Sequence, residues 1–326
     1  MPQPYSFSFC ETLMAEYTGV PLKSTHFDVD AILKMYDAIK PLAEELGIDA
    51  PHPRLAGFGY PHVVSLGAPV EFPDDGEPNV SPLIHAPEEI DTLKEPANYL
   101  AAPLIQTRLK IAAELMKRRK DAVPNYLGHP LEGPITTAVL LMGQDFFTLV
   151  YDDPQRAHRL LNFCTESALN YVGTLHRHFN GNVPVKPGPR GIPDDFAGML
   201  PPKLFGEFVV PYWNRIYEGL KATDRGLHSE LLREEHMPFL RDLKIKTYDP
   251  SADQYVTPEL LRRCCPCNFT SAIQSWEMQD LTAEQLENLY RKIAVSKPCV
   301  ISFHMNNINQ TGKIKRLLKL ARELAK

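Results

Sequence analysis

No apolar run in the 326 residues approaches the roughly 20 residues that a membrane-spanning helix needs. The first residues also lack the basic segment and the apolar core of a secretory signal. Long basic runs are absent as well, and the net charge is −5, which argues against nucleic acid as a partner. These absences predict a cytoplasmic protein that binds neither membranes nor nucleic acids.

Cysteine is sparse, with six residues in the whole chain. Without a secretory signal, these are expected to be reduced thiols. Three of them stand together in Cys264-Cys265-Pro266-Cys267. Adjacent cysteines make a poor tetrahedral metal clip, and no second Cys-x-x-Cys stands elsewhere to complete one. A structural or surface role is therefore favoured for this segment.

The glycine pattern of a dinucleotide-binding fold, Gly-x-Gly-x-x-Gly after a first strand, is also missing. What the chain does contain is an alternation of short apolar strands with longer helices, which is typical of parallel βα units. Because no break in composition interrupts this alternation, a single (β/α)8 barrel is favoured over two domains. We predict one barrel domain over residues 1–326, with an N-terminal helical extension over about residues 1–54.

Hydrophobic periodicity and capping signals place the individual elements. The main predicted helices cover residues 27–48, 99–119, 153–178, 202–220, 234–243 and 282–296, with Asp28 or Asp30 and Thr282 as caps. Predicted strands cover residues 54–60, 126–128, 227–231, 244–248, 269–274 and 299–303, and another strand ends just before Asp194.

Two metal-type side chains, His228 and Glu230, stand two residues apart in the strand predicted over 227–231. Residues at this spacing point to the same face of a strand. His304 stands at the end of a later apolar strand. Together the three would form an N/O ligand set with an open position, as catalytic zinc sites have. The alternative is that the pair is merely hydrogen-bonded or solvated.

Further polar residues fall near the predicted strand ends, where the chemistry of a barrel is located. We predict Asp195 and Tyr248 as catalytic residues. The predicted substrate-binding residues are Phe58, Tyr60, His62, Asp194 and Gln274. Loop capping, turn formation and core packing are the alternative roles for these residues.

Several segments match a known pattern in both composition and spacing. They are residues 65–72, residues 132–138 (Glu-Gly-Pro-Ile-Thr-Thr-Ala) followed by 141–143, residues 152–161, and residues 192–205 continuing into 207–212. They resemble the uroporphyrinogen decarboxylase superfamily from about residue 55 to the end of the chain. The resemblance implies a (β/α)8 barrel with its site at the C-terminal mouth.

That superfamily contains both porphyrinogen decarboxylases and corrinoid-linked methyltransferases. The decarboxylases have an Arg-rich N-terminal segment and an essential Asp just before the Leu-Gly block. Here residues 57–67 contain no Asp, and no Arg cluster precedes them. Because a porphyrinogen with many carboxylates needs such cations, the decarboxylase alternative is disfavoured.

The methylcobamide:coenzyme M methyltransferases of the other branch hold zinc on a His-x-Cys pair and a late Cys. His228 matches the His of that pattern, whereas Glu230 and His304 stand at the two Cys positions. The resemblance thus implies Zn²⁺ and a corrinoid, methylcobalamin or cob(I)alamin, carried by a partner protein. Since a His/Glu/His set is harder and suits oxygen substrates, demethylation of a methyl ether such as a methoxylated aromatic is expected.

Three alternatives stay open at this point: a methylcobamide:thiol methyltransferase, a uroporphyrinogen decarboxylase-type decarboxylase, and a non-catalytic barrel. The direction of transfer, the small-molecule methyl donor or acceptor and the corrinoid protein are not determined by the sequence. A homodimer is one option for the assembly.

Overall fold

Six parallel strands form a curled central sheet, and a short antiparallel pair lies outside it. The computed structural model describes residues 2–74, 76–123, 131–251, 253 and 255–326. The strands are β1 (Tyr5–Phe9), β2 (Val70–Glu71), β3 (Asn79–Val80), β4 (Gly188–Pro193), β5 (Ala222–His228), β6 (Ile245–Asp249), β7 (Asn268–Ala272) and β8 (Val300–Met305). The central sheet has the order β1-β8-β7-β6-β5-β4. This arrangement is TIM-barrel-like and confirms the predicted fold class.

Helices fill the connections between the strands. They are α1 (Glu11–Thr18), α2 (Val29–Ala38), α3 (Lys40–Leu46), α4 (Pro61–Ser65), α5 (Pro103–Arg118), α6 (Pro134–Met142), α7 (Asp145–Asp152), α8 (Pro154–Asn180), α9 (Pro202–Phe208), α10 (Val210–Gly219), α11 (Met237–Asp242), α12 (Pro258–Cys264), α13 (Ser275–Asp280), α14 (Ala283–Val295) and α15 (Thr311–Leu324). Short 3₁₀ turns also occur, among them Asp195–Met199 directly after β4.

Side-chain caps set the starts of several helices, as predicted. Asp28 caps α2, and Asp153 caps α8 by accepting from the Arg156 N–H. Thr282 caps α14 and forms a reciprocal capping box with Gln285. Each cap satisfies an N–H that has no partner within its own helix.

Two strand predictions need correction, and a third, at 126–128, lies outside the described residues. Residues 54–60 are irregular. The strand predicted at 227–231 begins earlier and ends at His228. Leu231, with φ of 62°, adopts a left-handed conformation that a strand cannot contain.

The N-terminal segment is more than the helical extension that was predicted. It contains α1–α3, but also β1, which pairs in parallel with β8 so that Ser8 lies opposite His304. Phe9 is buried in the same apolar cluster as Phe303 and Met305 of β8. The pattern Tyr-Ser-Phe-Ser-Phe alternates as a half-buried strand does. Residues 5–9 therefore add an edge strand to the central sheet, next to β8.

Two large apolar clusters surround the sheet. One packs side chains of α6–α10 against β4–β6, with Trp213 completely buried. The other packs α1–α3, α14 and α15 against β1 and β8. All six cysteines are free, as predicted. Within the described part of the chain, no helix is long and apolar enough to cross a membrane.

Candidate active site

The C-terminal ends of β5, β6 and β7 bring polar side chains onto one face of the sheet. His228 ends β5 and lies in register with Asp249, which ends β6. Thr270 of β7 donates its hydroxyl to Asp249 Oδ1 at 2.7 Å. Since side chains in register on parallel strands share a face, the three form a continuous polar row across neighbouring strands.

Both ring nitrogens of His228 face carboxylates. Nδ1 lies 3.0 Å from Asp249 Oδ2 in a hydrogen bond, and Nε2 lies 3.2 Å from Asp195 Oδ1. The second contact is an ion pair without hydrogen-bond alignment, because Asp195 Oδ1 has no hydrogen-bond partner in the described residues. Asp195 and Asp249 together raise the pKa of His228 to about 10. The ring is therefore an imidazolium at neutral pH.

Glu132 lies beside this ion-pair cluster, immediately before α6. Burial, with a contribution from the nearby Asp195 charge, raises the pKa of Glu132 to about 9. Its carboxyl group thus keeps its proton at neutral pH. Glu132 Oε2 is buried and has no partner within the described residues. A Cβ at Gly59 would stand 3.0 Å from Glu132 Oε1, so the glycine lets the loop pass close to the carboxyl group.

Asp194 fixes the relative positions of these groups. Its carboxylate accepts from the N–H groups of Ile135 and Thr136, at the start of α6, and from Trp213 Nε1 at 2.6 Å. Its own N–H donates to the carbonyl of His228 at 2.8 Å. One buried residue therefore ties the segment that carries Glu132 to the end of β5, through its side chain on α6 and its backbone on His228. Although these donors oppose the effect, burial raises the pKa of Asp194 to about 6.

Removing this buried acceptor should strongly destabilise the protein. Asp194→Ala leaves three buried donors without a partner, at about 1–3 kcal/mol each, so we expect a loss of at least about 3 kcal/mol in the free energy of unfolding. Urea denaturation at pH 7 measures this loss. The control is Asp224→Ala, on an exposed position of β5. Equal stability of the two variants would contradict the anchoring role.

The structure places two of the predicted substrate-binding residues near the cluster. Tyr60 is half-buried, and burial together with the charges of Glu132, Glu77 and Asp195 raises its pKa. Gln274 follows the end of β7 and donates Nε2 to the carbonyl of Ser251 at 3.0 Å. Both residues stand at the same end of the sheet as His228.

Four predicted roles need correction, because the side chains are enclosed in packing. Asp194 is 0% exposed and serves as the anchor, so it cannot contact a substrate. Tyr248 is also 0% exposed and donates its hydroxyl to the carbonyl of Ser229. His62 is buried against Ser167, and Phe58 packs under the guanidinium of Arg108. Asp195, the other predicted catalytic residue, does lie in the cluster.

The predicted zinc ligands are not gathered together. His228 holds its ring nitrogens against the carboxylates of Asp195 and Asp249. Glu230 lies beyond the strand end, and His304 Nδ1 lies 2.7 Å from Ser8 Oγ. Among the described residues, no three His, Cys, Asp or Glu side chains form a metal-holding group. In this arrangement the three residues do not fit a zinc ion.

Glu132 and Thr270 are site residues that sequence reasoning missed. Thr270 stands inside a strand of ordinary composition, so only the sheet register reveals its role. Glu132 did carry a signal, since it directly precedes the Gly-Pro that opens α6 and follows the strand predicted at 126–128 by four residues.

Comparison with models of known protein families identifies the family of this chain. The model of the uroporphyrinogen decarboxylase (URO-D) family matches residues 62–262, more than half of the 326 residues. The chain belongs to the uroporphyrinogen decarboxylase family. This confirms the resemblance identified in the sequence. The matched segment contains Glu132, Asp195, His228 and Asp249, whereas Tyr60 and His304 lie outside it.

A solved structure with a similar fold supports the fold of this family member. A methyltransferase from Methanosarcina mazei superimposes with a TM-score of 0.69 at 13% sequence identity, over 99% of this chain and 93% of that chain. A Listeria monocytogenes protein described as a vitamin-B12 independent methionine synthase gives a TM-score of 0.43 at 11% identity, over 99% and 95% of the two chains. A search of curated proteins finds no match.

Proposed function

We propose that this family member is a methyltransferase that moves a methyl group from a methyl ether, such as a methoxylated aromatic, to a corrinoid carried by a partner protein. Its family and its fold, which is similar to that of a methyltransferase, support this class of reaction. An ether is favoured as the methyl donor because the buried, protonated carboxyl of Glu132 lies beside the imidazolium of His228.

A neutral carboxylic acid can supply the proton that the departing oxygen of an ether takes up. When the carbon–oxygen bond breaks, its electron pair stays on the oxygen, which must be protonated. Glu132 would donate that proton as a general acid, and its pKa of about 9 keeps the proton available at neutral pH. The unpartnered Glu132 Oε2 would point to the ether oxygen. A reduced corrinoid, when bound, would supply the nucleophile for the methyl group.

His228 would stabilise the negative charge that develops on the oxygen and on Glu132. Asp249 and Asp195 hold the imidazolium charged and oriented before the reaction, so little reorganisation is needed. Asp249 is in turn held by Thr270. Although burial opposes it, hydrogen bonds from His228 and Thr270 keep the pKa of Asp249 below its usual range.

The charges of the site favour a neutral substrate over a polycarboxylate. Within the described part of the cluster, Asp195 and Asp249 outnumber the one cation, His228. The buried Arg108 is engaged elsewhere, with its guanidinium over Phe58 and on the carbonyl of Ala56. A porphyrinogen with many carboxylates would meet repulsion here, whereas an uncharged methyl ether would not.

The zinc ligand set stays a prediction. Because His228, Glu230 and His304 do not fit a zinc ion as they stand, no step of the proposed reaction depends on the metal. Zinc analysis of the parent protein and of His304→Ala tests the ligand set separately. Stoichiometric zinc that is lost in His304→Ala would support it.

The experiment combines the purified protein with a reduced corrinoid and a panel of methoxylated aromatics. We expect the cob(I)alamin absorption spectrum to convert to that of methylcobalamin, with release of one phenol per methyl group transferred. The matched control uses the corresponding aromatic compounds that lack a methyl group on the ether oxygen and therefore have none to transfer.

Two outcomes would overturn the proposal. The first is no conversion with any ether while a thiol accepts methyl from methylcobalamin, which would instead support thiol methylation. The second is release of CO₂ from a carboxylated substrate without corrinoid, which would support decarboxylation.

A further inference from the structure

Two thiols meet at the end of the sheet opposite the candidate active site. Cys265 follows the last residue of α12, and Cys267 directly precedes β7. Their sulfur atoms lie 3.6 Å apart. Both residues are partly exposed, and Pro266 between them faces solvent. A disulfide has a sulfur–sulfur distance of about 2.05 Å, so a small approach of the two side chains would close the bond.

The two thiols differ in character because of this contact. The hydrogen bond from the Cys267 thiol lowers the pKa of Cys265, and the same bond raises the pKa of Cys267. The adjacent Cys264 is occupied elsewhere, since its thiol donates to the carbonyl of Leu260 at 3.1 Å. Cys265 is thus the nucleophilic sulfur and Cys267 the resolving one.

We propose that Cys265 and Cys267 form a redox site that closes reversibly into an intramolecular disulfide by exchange with a small disulfide such as glutathione disulfide. The Cys265 thiolate attacks one sulfur of the oxidant, whose sulfur–sulfur bond breaks and releases one thiol. Cys267 then loses its proton and attacks the Cys265 sulfur, which releases the second thiol. One protein dithiol and one small disulfide become one protein disulfide and two small thiols.

The site is independent of the proposed methyl transfer. It lies before the first residue of β7, whereas the active-site cluster begins at Thr270 and continues past the C-terminal ends of the strands. Failure of one proposal therefore leaves the other standing.

The test treats the reduced full-length protein with glutathione disulfide, alkylates the remaining thiols and maps the peptides by mass spectrometry. We expect a Cys265–Cys267 disulfide in a single peptide, with loss of two hydrogens, and its reversal by dithiothreitol. Cys265→Ser and Cys267→Ser should reduce the yield of this product at least about tenfold, since both sulfurs are needed. Cys264→Ser and Cys299→Ser are the matched controls and should retain it.

A second measurement does not require the disulfide to form. Cys267→Ala should slow the alkylation of Cys265 by iodoacetamide at pH 7 several-fold, because the hydrogen bond from residue 267 to the Cys265 thiolate is lost. Three results would overturn the proposal: a persistent glutathione adduct on Cys265 in the parent, a Cys267–Cys299 disulfide, or unchanged thiols after oxidation.

Discussion

Replacing Glu132 with Gln should lower kcat for ether demethylation by about 10²–10⁴-fold, the usual contribution of a positioned general acid. Glutamine keeps the shape of the side chain but has no proton of suitable acidity to donate. KM should change little, since the missing interaction develops mainly in the transition state. In the parent enzyme kcat should fall as pH rises through about 9, where Glu132 loses its proton.

The same variant should be more stable than the parent in alkaline solution. Between the ordinary pKa of a Glu and about 9, the folded parent keeps the Glu132 proton and the unfolded chain releases it. The stability of the parent therefore declines across that pH range. Glu132→Gln removes this decline, and we expect a gain on the order of 3 kcal/mol at pH 9, allowing for partial exposure of the group.

Steady-state kinetics and urea denaturation between pH 5 and pH 10 would measure both effects. Glu71→Gln, on the exposed side of the short strand β2, is the matched control and should behave as the parent. Retention of parental kcat in Glu132→Gln would refute the general-acid role. An unchanged pH dependence of stability would refute the burial of a neutral Glu132.

Substituting His228 with Gln should have the second large effect, a loss of about 10²–10³-fold in kcat/KM. The amide cannot carry the positive charge that the imidazolium places between Asp195 and Asp249. Charge that develops on the departing oxygen would then lie next to two uncompensated carboxylates. The double variant His228→Gln/Asp249→Asn should recover part of the loss, because one of these carboxylates is removed.

The pH dependence of stability gives a second readout for His228. Its pKa is raised in the folded protein to about 10, so the ion pairs stabilise the fold fully below the ordinary His pKa of about 6.5. This stabilisation is lost as pH rises from there through about 10. His228→Gln should therefore be less stable than the parent at pH 6, and the difference should vanish near pH 11.

The control for this experiment is His85→Gln, because His85 is exposed and its side chain lies outside the cluster. Thermal unfolding of the three proteins at pH 6 and pH 10 compares them directly. If His228→Gln and His85→Gln show the same pH dependence, His228 is not held as an imidazolium. If His228→Gln also loses zinc that the parent contains, the metal-ligand prediction would gain support over the ion-pair arrangement.

The amino-acid sequence predicted most of the local structure. Capping by Asp28 and Thr282, the start of α8 at Pro154 and the strands near 245 and 300 depend on neighbouring residues alone, so local patterns reveal them. The (β/α)8 class and the family follow from the alternation of elements and from motif spacing, and the comparisons confirm both. Strand β1 was missed because its five residues precede the predicted barrel.

The sequence by itself therefore determined most of the elements, the family and the end of the barrel at which His228, Asp195 and Asp249 lie. Only the tertiary structure decided how these residues are arranged around one another. The pKa values of Glu132 and His228 depend on burial and on charges contributed by other strands, which no local pattern contains. The zinc ligand set illustrates the reason. The side chains of His228 and Glu230 would point to the same face only if both stood in one strand, but β5 ends at His228.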